Sequence, residues 1–220
     1  MIISVYNIKG GVGKTSTSVN LTHLAGKNLK TLLIDLDIQG ASSYFFDKKP
    51  KKRNIFNKPI SKIVKNTEYK NIDIIPSDTS LSKYKGSLNT LLKELNSRYE
   101  IIIIDAPATL NELTKDLVKS SDIVLVPVLP NILSLRTYNQ LISAKLNKNI
   151  KLFVNAFENK PTHRQVINAI LKLPKSQYLK SYIPKSEKIE RMPFYKSSVV
   201  EKYPYSIEAK RYKKLFEEII

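Results

Sequence analysis

Three glycines, at positions 10, 11 and 13, run directly into Lys14, Thr15 and Ser16, and the apolar stretch Ile2-Ile3-Ser4-Val5-Tyr6 leads into them. Glycine tolerates positive φ, so such a segment can turn its backbone N–H groups toward one anion. A helix starting near Lys14 adds the partial positive charge of its N-terminus. A lysine there reaches the β- and γ-phosphates of a nucleoside triphosphate, and the adjacent hydroxyl of Thr15 can ligate Mg2+. Lys9-Gly10-Gly11-Val12-Gly13-Lys14-Thr15-Ser16 therefore reads as a phosphate loop. A dinucleotide loop, G-x-G-x-x-G, fits worse. Counted from Gly11, Ser16 takes the third glycine's place and Lys14 and Thr15 are left without a purpose.

Three carboxylates stand where such a loop needs them. Asp105 closes the run Ile101-Ile102-Ile103-Ile104, the position of a carboxylate that holds Mg2+ through water; capping the next helix is the alternative. Asp35 and Asp37 end another apolar run, and residues two apart on a strand share a face; capping a turn is their alternative. Asn155 follows a strand and could donate and accept toward a base edge, although a turn is the commoner use of such an Asn. His23 and His163 are isolated, with no partner at metal-ligand spacing, and receive neither a catalytic nor a zinc role.

Positioning these groups requires strands that end together. Apolar runs at 2–6, 31–35, 72–75, 100–104, 122–126 and 150–154 alternate with helical patterns at about 14–28, 80–97, 110–119, 134–146 and 162–172. Several runs are continuous rather than alternating, as in strands covered on both faces. Strand-then-helix repetition predicts right-handed crossovers and a mostly parallel twisted sheet flanked by helices. The expected fold is a single α/β P-loop domain over residues 1–220. The stretch 45–70 is the least regular and carries the basic run Lys48-Lys49-Pro50-Lys51-Lys52-Arg53.

Composition narrows the chemistry. The 37 Lys and Arg residues outnumber 19 Asp and Glu, a net +18 that favours polyanionic partners, against the alternative of a Lys-, Asn- and Ile-rich compositional bias. With no cysteine there is no disulfide, thiolate zinc site, cysteine nucleophile or cysteine-ligated cluster. No apolar run is long enough to span a bilayer, and the first residues read as a strand rather than a leader, so a cytoplasmic protein is expected.

At the phosphate loop, Ile8 replaces the first glycine of the general pattern and Lys9 follows it. The motif K-G-G-x-G-K-T resembles the deviant Walker A of the ParA/MinD family of P-loop ATPases. Asp35-Leu36-Asp37-Ile38-Gln39-Gly40 resembles the family's D-x-D-P-Q-G signature, with Ile38 for the proline. Ile101 to Pro107 resembles its Walker B strand, with Ala108 where a second proline is frequent. Val126-Pro127-Val128, Ser134-Leu135-Arg136, Leu152-Phe153-Val154-Asn155 and Ile183-Pro184-Lys185-Ser186 continue the likeness almost to the C-terminus; Lys185 stands where Arg often follows the proline.

The resemblance implies ATP and Mg2+ as ligands. It implies that Lys9 crosses a dimer interface to the partner's phosphates, where a cation relieves the repulsion between two facing triphosphates. Gly11 would allow that close approach. Asp37 would orient or activate the attacking water, Asp35 and Asp105 would support the magnesium shell with Thr15, Asn155 would contact adenine and Pro184 would cover the base.

Three functions fit such an ATPase. In the first, an ATP-bound homodimer binds DNA non-specifically and positions a plasmid, chromosome or large protein assembly, while a ParB-like or other adaptor stimulates hydrolysis. Arg191, Lys196, Lys202, Lys210, Arg211, Lys213 and Lys214 would contact phosphates, placing the protein on the nucleoid. No helix-turn-helix precedes the loop, so operator-type binding is not expected. The second is a MinD-like membrane cycle. It needs a free amphipathic helix, and Tyr212, Leu215, Phe216 and Ile219 form such a stripe. Glu217 and Glu218 beside it oppose acidic lipid, so a docked core helix is expected instead. The third, a metabolic or kinase relative, is disfavoured by the missing cysteines and the scattered tyrosines.

Overall fold

Runs such as Ile101–Ile104 and Ile123–Val126 are buried along their whole length, so each must be covered on both faces. The computed structural model describes residues 1–85, 88–144, 146–147 and 149–220. The first half of the chain runs β1 (Ile2–Val5), α1 (Lys14–Ala25), β2 (Thr31–Asp35), α2 (Ala41–Tyr44), α3 (Ile60–Ile63), β3 (Lys65–Asn66), β4 (Ile72–Ile75), α4 (Leu88–Asn96) and β5 (Ile101–Asp105). It continues through α5 (Glu112–Ser120), β6 (Ile123–Val128), α6 (Ile132–Ser143), β7 (Ile150–Phe157), α7 (Pro161–Ile170) and β8 (Tyr178–Pro184). It ends with α8 (Glu187–Glu190), α9 (Met192–Tyr195), α10 (Val199–Lys202) and α11 (Ile207–Glu217).

The eight strands form one sheet in the order β3-β4-β2-β5-β1-β6-β7-β8, parallel throughout except for the short β3–β4 pair. This is the expected α/β architecture, with helices on both faces. One face packs Leu91, Leu95, Leu113, Leu117, Tyr138 and Val166 against the sheet. The other packs Val19, Leu21, Phe45, Val199, Tyr212 and Leu215. From β1 the chain crosses to β2 on one side, and from neighbouring β5 it crosses to β6 on the other. Divergent crossovers open a crevice at the carboxyl ends of the strands, the usual ligand position in such sheets.

All six expected strands are present, together with β3 and β8, which the sequence pattern did not reveal. The helix expected over 14–28 stops at Ala25, with Gly26 as its C-cap donating to the Thr22 carbonyl; a Cβ on Gly26 would collide with Ile72. The helix expected over 80–97 is broken. Asp78 caps a 3-10 turn at Thr79–Lys83, α4 is described over Leu88–Asn96, and residues 86–87 lie outside the described set. The helix expected over 134–146 starts two residues earlier and ends at Ser143; residue 145 is likewise outside the described set. The C-terminal stripe is docked as expected, with Tyr212, Leu215, Phe216 and Ile219 all buried. Among the described residues no helix is long and apolar enough to cross a membrane.

Candidate active site

The loop after β1 makes its turn with two glycines in the left-handed region, Gly11 at φ 70° and Gly13 at φ 93°. Gly13 is the N-cap of α1 and has no side-chain cap, so the first N–H groups of that helix are directed at the crevice without a protein acceptor of the usual kind. A Cβ at Gly13 would run into the amide of Asn155, whose Nδ2 donates to the Val12 carbonyl at 2.8 Å. At Gly10 and Gly11 an added Cβ would meet nothing within 4 Å, so that stretch of loop is open on its outer side. Asn7 anchors the loop from beneath: its Nδ2 donates to the Pro127 carbonyl and its Oδ1 accepts from the Lys9 N–H, each at 2.9 Å.

Lys14 is buried, and its Nζ donates to the Lys9 carbonyl at 3.1 Å. Burial draws its pKa down, while Asp105 and Asp37 work in the opposite direction. The ammonium is thus already desolvated and faces two carboxylates. The Thr15 hydroxyl donates to Asp105 Oδ2 at 2.8 Å and Ser18 donates to Oδ1 at 3.3 Å.

Sheet register explains the carboxylate placement. Asp35 and Asp105 are paired Cα positions on adjacent parallel strands, so β2 and β5 carry their acids side by side. Both are raised above the ordinary carboxylate range, first by burial; for Asp105 the neighbouring charge of Asp35 adds to it. Their surroundings differ. Asp35 is enclosed and accepts from the Asp37 N–H (3.1 Å), the Ser43 N–H (2.8 Å) and the Ser43 hydroxyl (2.6 Å). It braces the turn after β2, and it is not among the residues lining the crevice. Asp37, two residues on, does line it. The Asp37 carbonyl accepts from Ser77 Oγ (2.7 Å) and the Gly40 N–H (2.9 Å), and its Oδ1 accepts from the Gln39 N–H (2.9 Å).

Gly10, Gly11, Gly13, Lys14, Thr15 and Asp37 line a crevice of about 600 Å3, together with Ser16, Ala108, Leu129, Asn155, Ala156, Pro184, Lys185, Ser186, Glu190 and Pro193. Among the described residues no cluster of three or more His, Asp or Glu side chains could hold a metal unaided. Mg2+ is typically bound through one or two carboxylates plus phosphates and water. The Thr15–Asp105 contact at the end of β5 fits that requirement.

A model of the AAA domain matches residues 1–160. The sporulation initiation inhibitor protein Soj of Bacillus subtilis (strain 168) is 28% identical, with 99% of this chain and 97% of Soj covered. This chain belongs to the ParA/MinD family of P-loop ATPases. A chromosome partitioning protein ParA from Myxococcus xanthus (strain DK1622) is 26% identical over 90% of this chain and 80% of that protein. Among solved structures, the putative plasmid partition protein BB_S35 of Borrelia burgdorferi B31, bound to AMPPNP, superposes with a TM-score of 0.82. It is 26% identical, with 99% of this chain and 97% of that one covered. MinD of Pyrococcus horikoshii OT3 complexed with Mg-ADP shares the fold at a TM-score of 0.84 and 24% identity, over 99% and 95% of the two chains.

In this ParA/MinD ATPase the crevice gathers most residues named from the sequence: Gly10, Gly11, Gly13, Lys14, Thr15, Ser16, Asp37, Asn155 and Pro184. Val12 is buried behind the loop, Asp105 lies directly beneath Thr15, and Lys9 contributes its carbonyl to Lys14. The basic residues separate into kinds. Lys202, Lys210, Lys213 and Lys214 are exposed, Lys213 with Glu217 at 3.9 Å. Arg191 pairs with Glu187 at 3.5 Å. Lys196 pairs with Asp47 at 2.9 Å and lies 4.9 Å from the Tyr44 ring centre. Arg211 stacks on Tyr182 at 4.2 Å and donates to its hydroxyl at 2.9 Å. Sequence reasoning passed over Asn7, Ser43 and Ser77. Asn7 and Ser77 follow strands that end at the crevice, and that position was the available signal.

Proposed function

We propose that this chain is a Mg2+-dependent ATPase that forms an ATP-bound homodimer, binds DNA without sequence preference and positions a cargo through an adaptor that stimulates hydrolysis. The observation that carries the reading is the crevice itself. A glycine turn ending in Lys14 and Thr15 shares the crevice with Asp37, and Asp105 lies beneath Thr15 at the carboxyl end of β5. The names of the relatives, which include chromosome and plasmid partition proteins, supply the cargo-positioning part.

The chain's own groups divide the work. Gly10, Gly11, Gly13 and the start of α1 offer N–H donors to the phosphates, and Lys14 exchanges the Lys9 carbonyl for phosphate oxygen. Thr15 and Asp105 would hold Mg2+, which when bound neutralises phosphate charge. Asp37, with its backbone fixed by Ser77 and Gly40, orients the attacking water through a hydrogen bond to its carboxylate. Asp35 positions Asp37 through the turn rather than reaching into the crevice. Asn155 holds the loop from behind and, with Pro184 and Lys185, lines the space for the base.

Dimer formation is supported by the outer face of this edge. Gly10 and Gly11 are exposed and unobstructed, Lys9 is adjacent, and Leu110, Ile132 and Leu133 are exposed apolar residues at the starts of α5 and α6. The charge excess and the exposed lysines of α11 support DNA as the surface on which the dimer works. Co-sedimentation with unrelated duplexes should show DNA recovery with ATP-Mg2+ and little with ADP or no nucleotide. Equal recovery in all three states would separate DNA binding from the nucleotide cycle and defeat the reading.

The membrane alternative requires the Tyr212–Ile219 stripe to be free, whereas all four of its side chains are buried against α1, α10 and β8. DNA is therefore the surface we favour.

A further inference from the structure

The basic run after β2 takes no part in the reading above, yet its placement is specific. Lys49, Lys51 and Lys52 are exposed, and none of them forms an ion pair among the described residues. The acid that could neutralise them, Asp47, is taken by Lys196. Three adjacent cations on one short segment thus keep their charge toward solvent.

Their backbone is not a free tail. The Lys51 carbonyl accepts from the Thr79 N–H at 3.2 Å, and Lys51 bridges Asp78 in parallel. Buried Asp78 accepts from the N–H groups of Arg53 and Ile55, both at 2.9 Å. The Arg53 guanidinium folds back to donate to the carbonyls of Ser77 (3.3 Å) and Lys49 (3.0 Å). Arg53 is therefore a brace, and the lysines are what the brace presents. Several unpaired cations spread along one tethered segment suit a repeating chain of phosphates better than a single anion.

The same brace touches the hydrolytic turn at two points. The Pro50 ring lies so close to Gly40 that a Cβ there would collide with it, and Gly40 closes the Asp37 turn at φ 69°. Ser77, whose carbonyl receives Arg53, donates its hydroxyl to the Asp37 carbonyl at 2.7 Å. The segment also shares a helical layer with α11: Phe45 and Phe46 just before it belong to the same core cluster as Tyr212 and Leu215.

We propose that Lys49, Lys51 and Lys52 form a second contact for the DNA phosphate backbone, separate from α11, and that filling it acts on hydrolysis through Pro50–Gly40 and Ser77–Asp37. This rests on the DNA-binding reading. Duplex DNA is favoured over an acidic membrane because the apolar side chains Phe45, Phe46 and Ile55 that flank the run are buried in the core.

The test uses the full chain with ATP-Mg2+ and unrelated duplexes across a salt series. Compared are the wild type, the triple variant Lys49→Gln/Lys51→Gln/Lys52→Gln, and Pro50→Ala. The triple variant should flatten the slope of log K against log salt by about 2 to 3. Its turnover without DNA should match the wild type, and the rise in turnover caused by DNA should be lost. Pro50→Ala should keep the wild-type salt slope and lose most of the rise in turnover, separating contact from transmission. A wild type that binds DNA alongside a triple variant with unchanged slope and response overturns this site and leaves the α11 reading standing. A wild type that fails to bind DNA at low salt overturns both. Binding of the run to phosphatidylserine vesicles, with no DNA effect, would also overturn the proposal.

Discussion

Lys14, Asp37 and Lys9 occupy one edge of the sheet and differ in what surrounds them, so their substitutions should fail differently. Lys14 is buried against the loop carbonyls with two carboxylates nearby. Lys14→Ala leaves Asp37 and Asp105 facing incoming phosphates without a side-chain cation, and nucleotide binding measured by calorimetry should be lost. Unchanged affinity would remove Lys14 from the phosphate site. Asp37 lies in the crevice, but its structural duties are carried mainly by its backbone carbonyl. Asp37→Ala should therefore bind ATP while turnover drops by about 100-fold or more, as for loss of a positioned acid–base group, and the trapped dimer should appear in light scattering. Turnover at the wild-type rate would reduce Asp37 to a turn residue. Lys9 touches Lys14 only through its carbonyl, which an alanine retains. Lys9→Ala should bind one nucleotide per monomer yet remain monomeric in ATP; a dimer as stable as wild type would exclude it from the interface.

At the scale of elements, α1 is the part that joins site to core. It begins at the phosphate loop and is buried on nearly every side, including His23 at its far end. The His23 ring stacks on Phe46 and meets Tyr69 edge-on, with Nδ1 at 3.1 Å from the Val19 carbonyl. Burial lowers its pKa to about 4 from 6.5. The unfolded chain then takes up a proton below about pH 6.5 that the folded chain refuses until about pH 4. Stability from neutral His23 is complete above that window and is lost as pH falls through it, by about 3 kcal/mol. Asp35 and Asp105, raised in the folded state, shift the balance the other way. Urea midpoints at about pH 4.5 and 7 should therefore be compared between wild type and His23→Phe, where the carboxylate contributions cancel. The variant should lose less stability on acidification; equal losses would mean that His23 is protonated in place. Such elements differed in how readily they could be read. Continuous isoleucine runs named the central strands because burial on both faces leaves no other composition. Strand β8 was missed because Tyr178-Leu179-Lys180-Ser181-Tyr182 sits at an edge with irregular register and mixes polar with apolar residues, so no period survives. The phosphate loop was legible because two of its glycines, Gly11 and Gly13, take positive φ, which favours glycine, directly before a Lys-Thr pair. Asn7 and Ser77 offered only their positions after strands, and Ser43 offered no signal, since their partners are carbonyls and carboxylates brought near by the fold.

For the whole molecule the proposed DNA binding needs a surface to carry it, and α11 supplies the test. Its buried side, Tyr212, Leu215 and Phe216, holds the helix against the core, which leaves Lys210, Lys213 and Lys214 on the outer side. Arg211 belongs to the packing through Tyr182, so reversing it would disturb β8 as well as charge. Lys213 has Glu217 as a neighbour. Lys210 and Lys214, four residues apart on the exposed face, are the informative pair. Lys210→Glu/Lys214→Glu should leave the thermal midpoint and ATP binding near wild type, as exposed substitutions away from caps and cores usually change stability by no more than about 0.5 kcal/mol. Binding to unrelated duplexes should weaken to a similar extent for all of them, and the slope of log K against log salt should fall by about 2, because phosphate contacts carry no sequence information. Weakening confined to one sequence would indicate base readout instead. Retention of full affinity would move the DNA surface away from α11. Insertion of the Tyr212–Ile219 stripe into acidic vesicles would require the helix to leave its seat. That costs on the order of 2 kcal/mol for each large apolar side chain exposed, before any lipid contact is made. The docked helix and its outward lysines therefore favour duplex DNA over lipid, and a mobility-shift titration at two salt concentrations beside co-sedimentation with acidic vesicles decides between them.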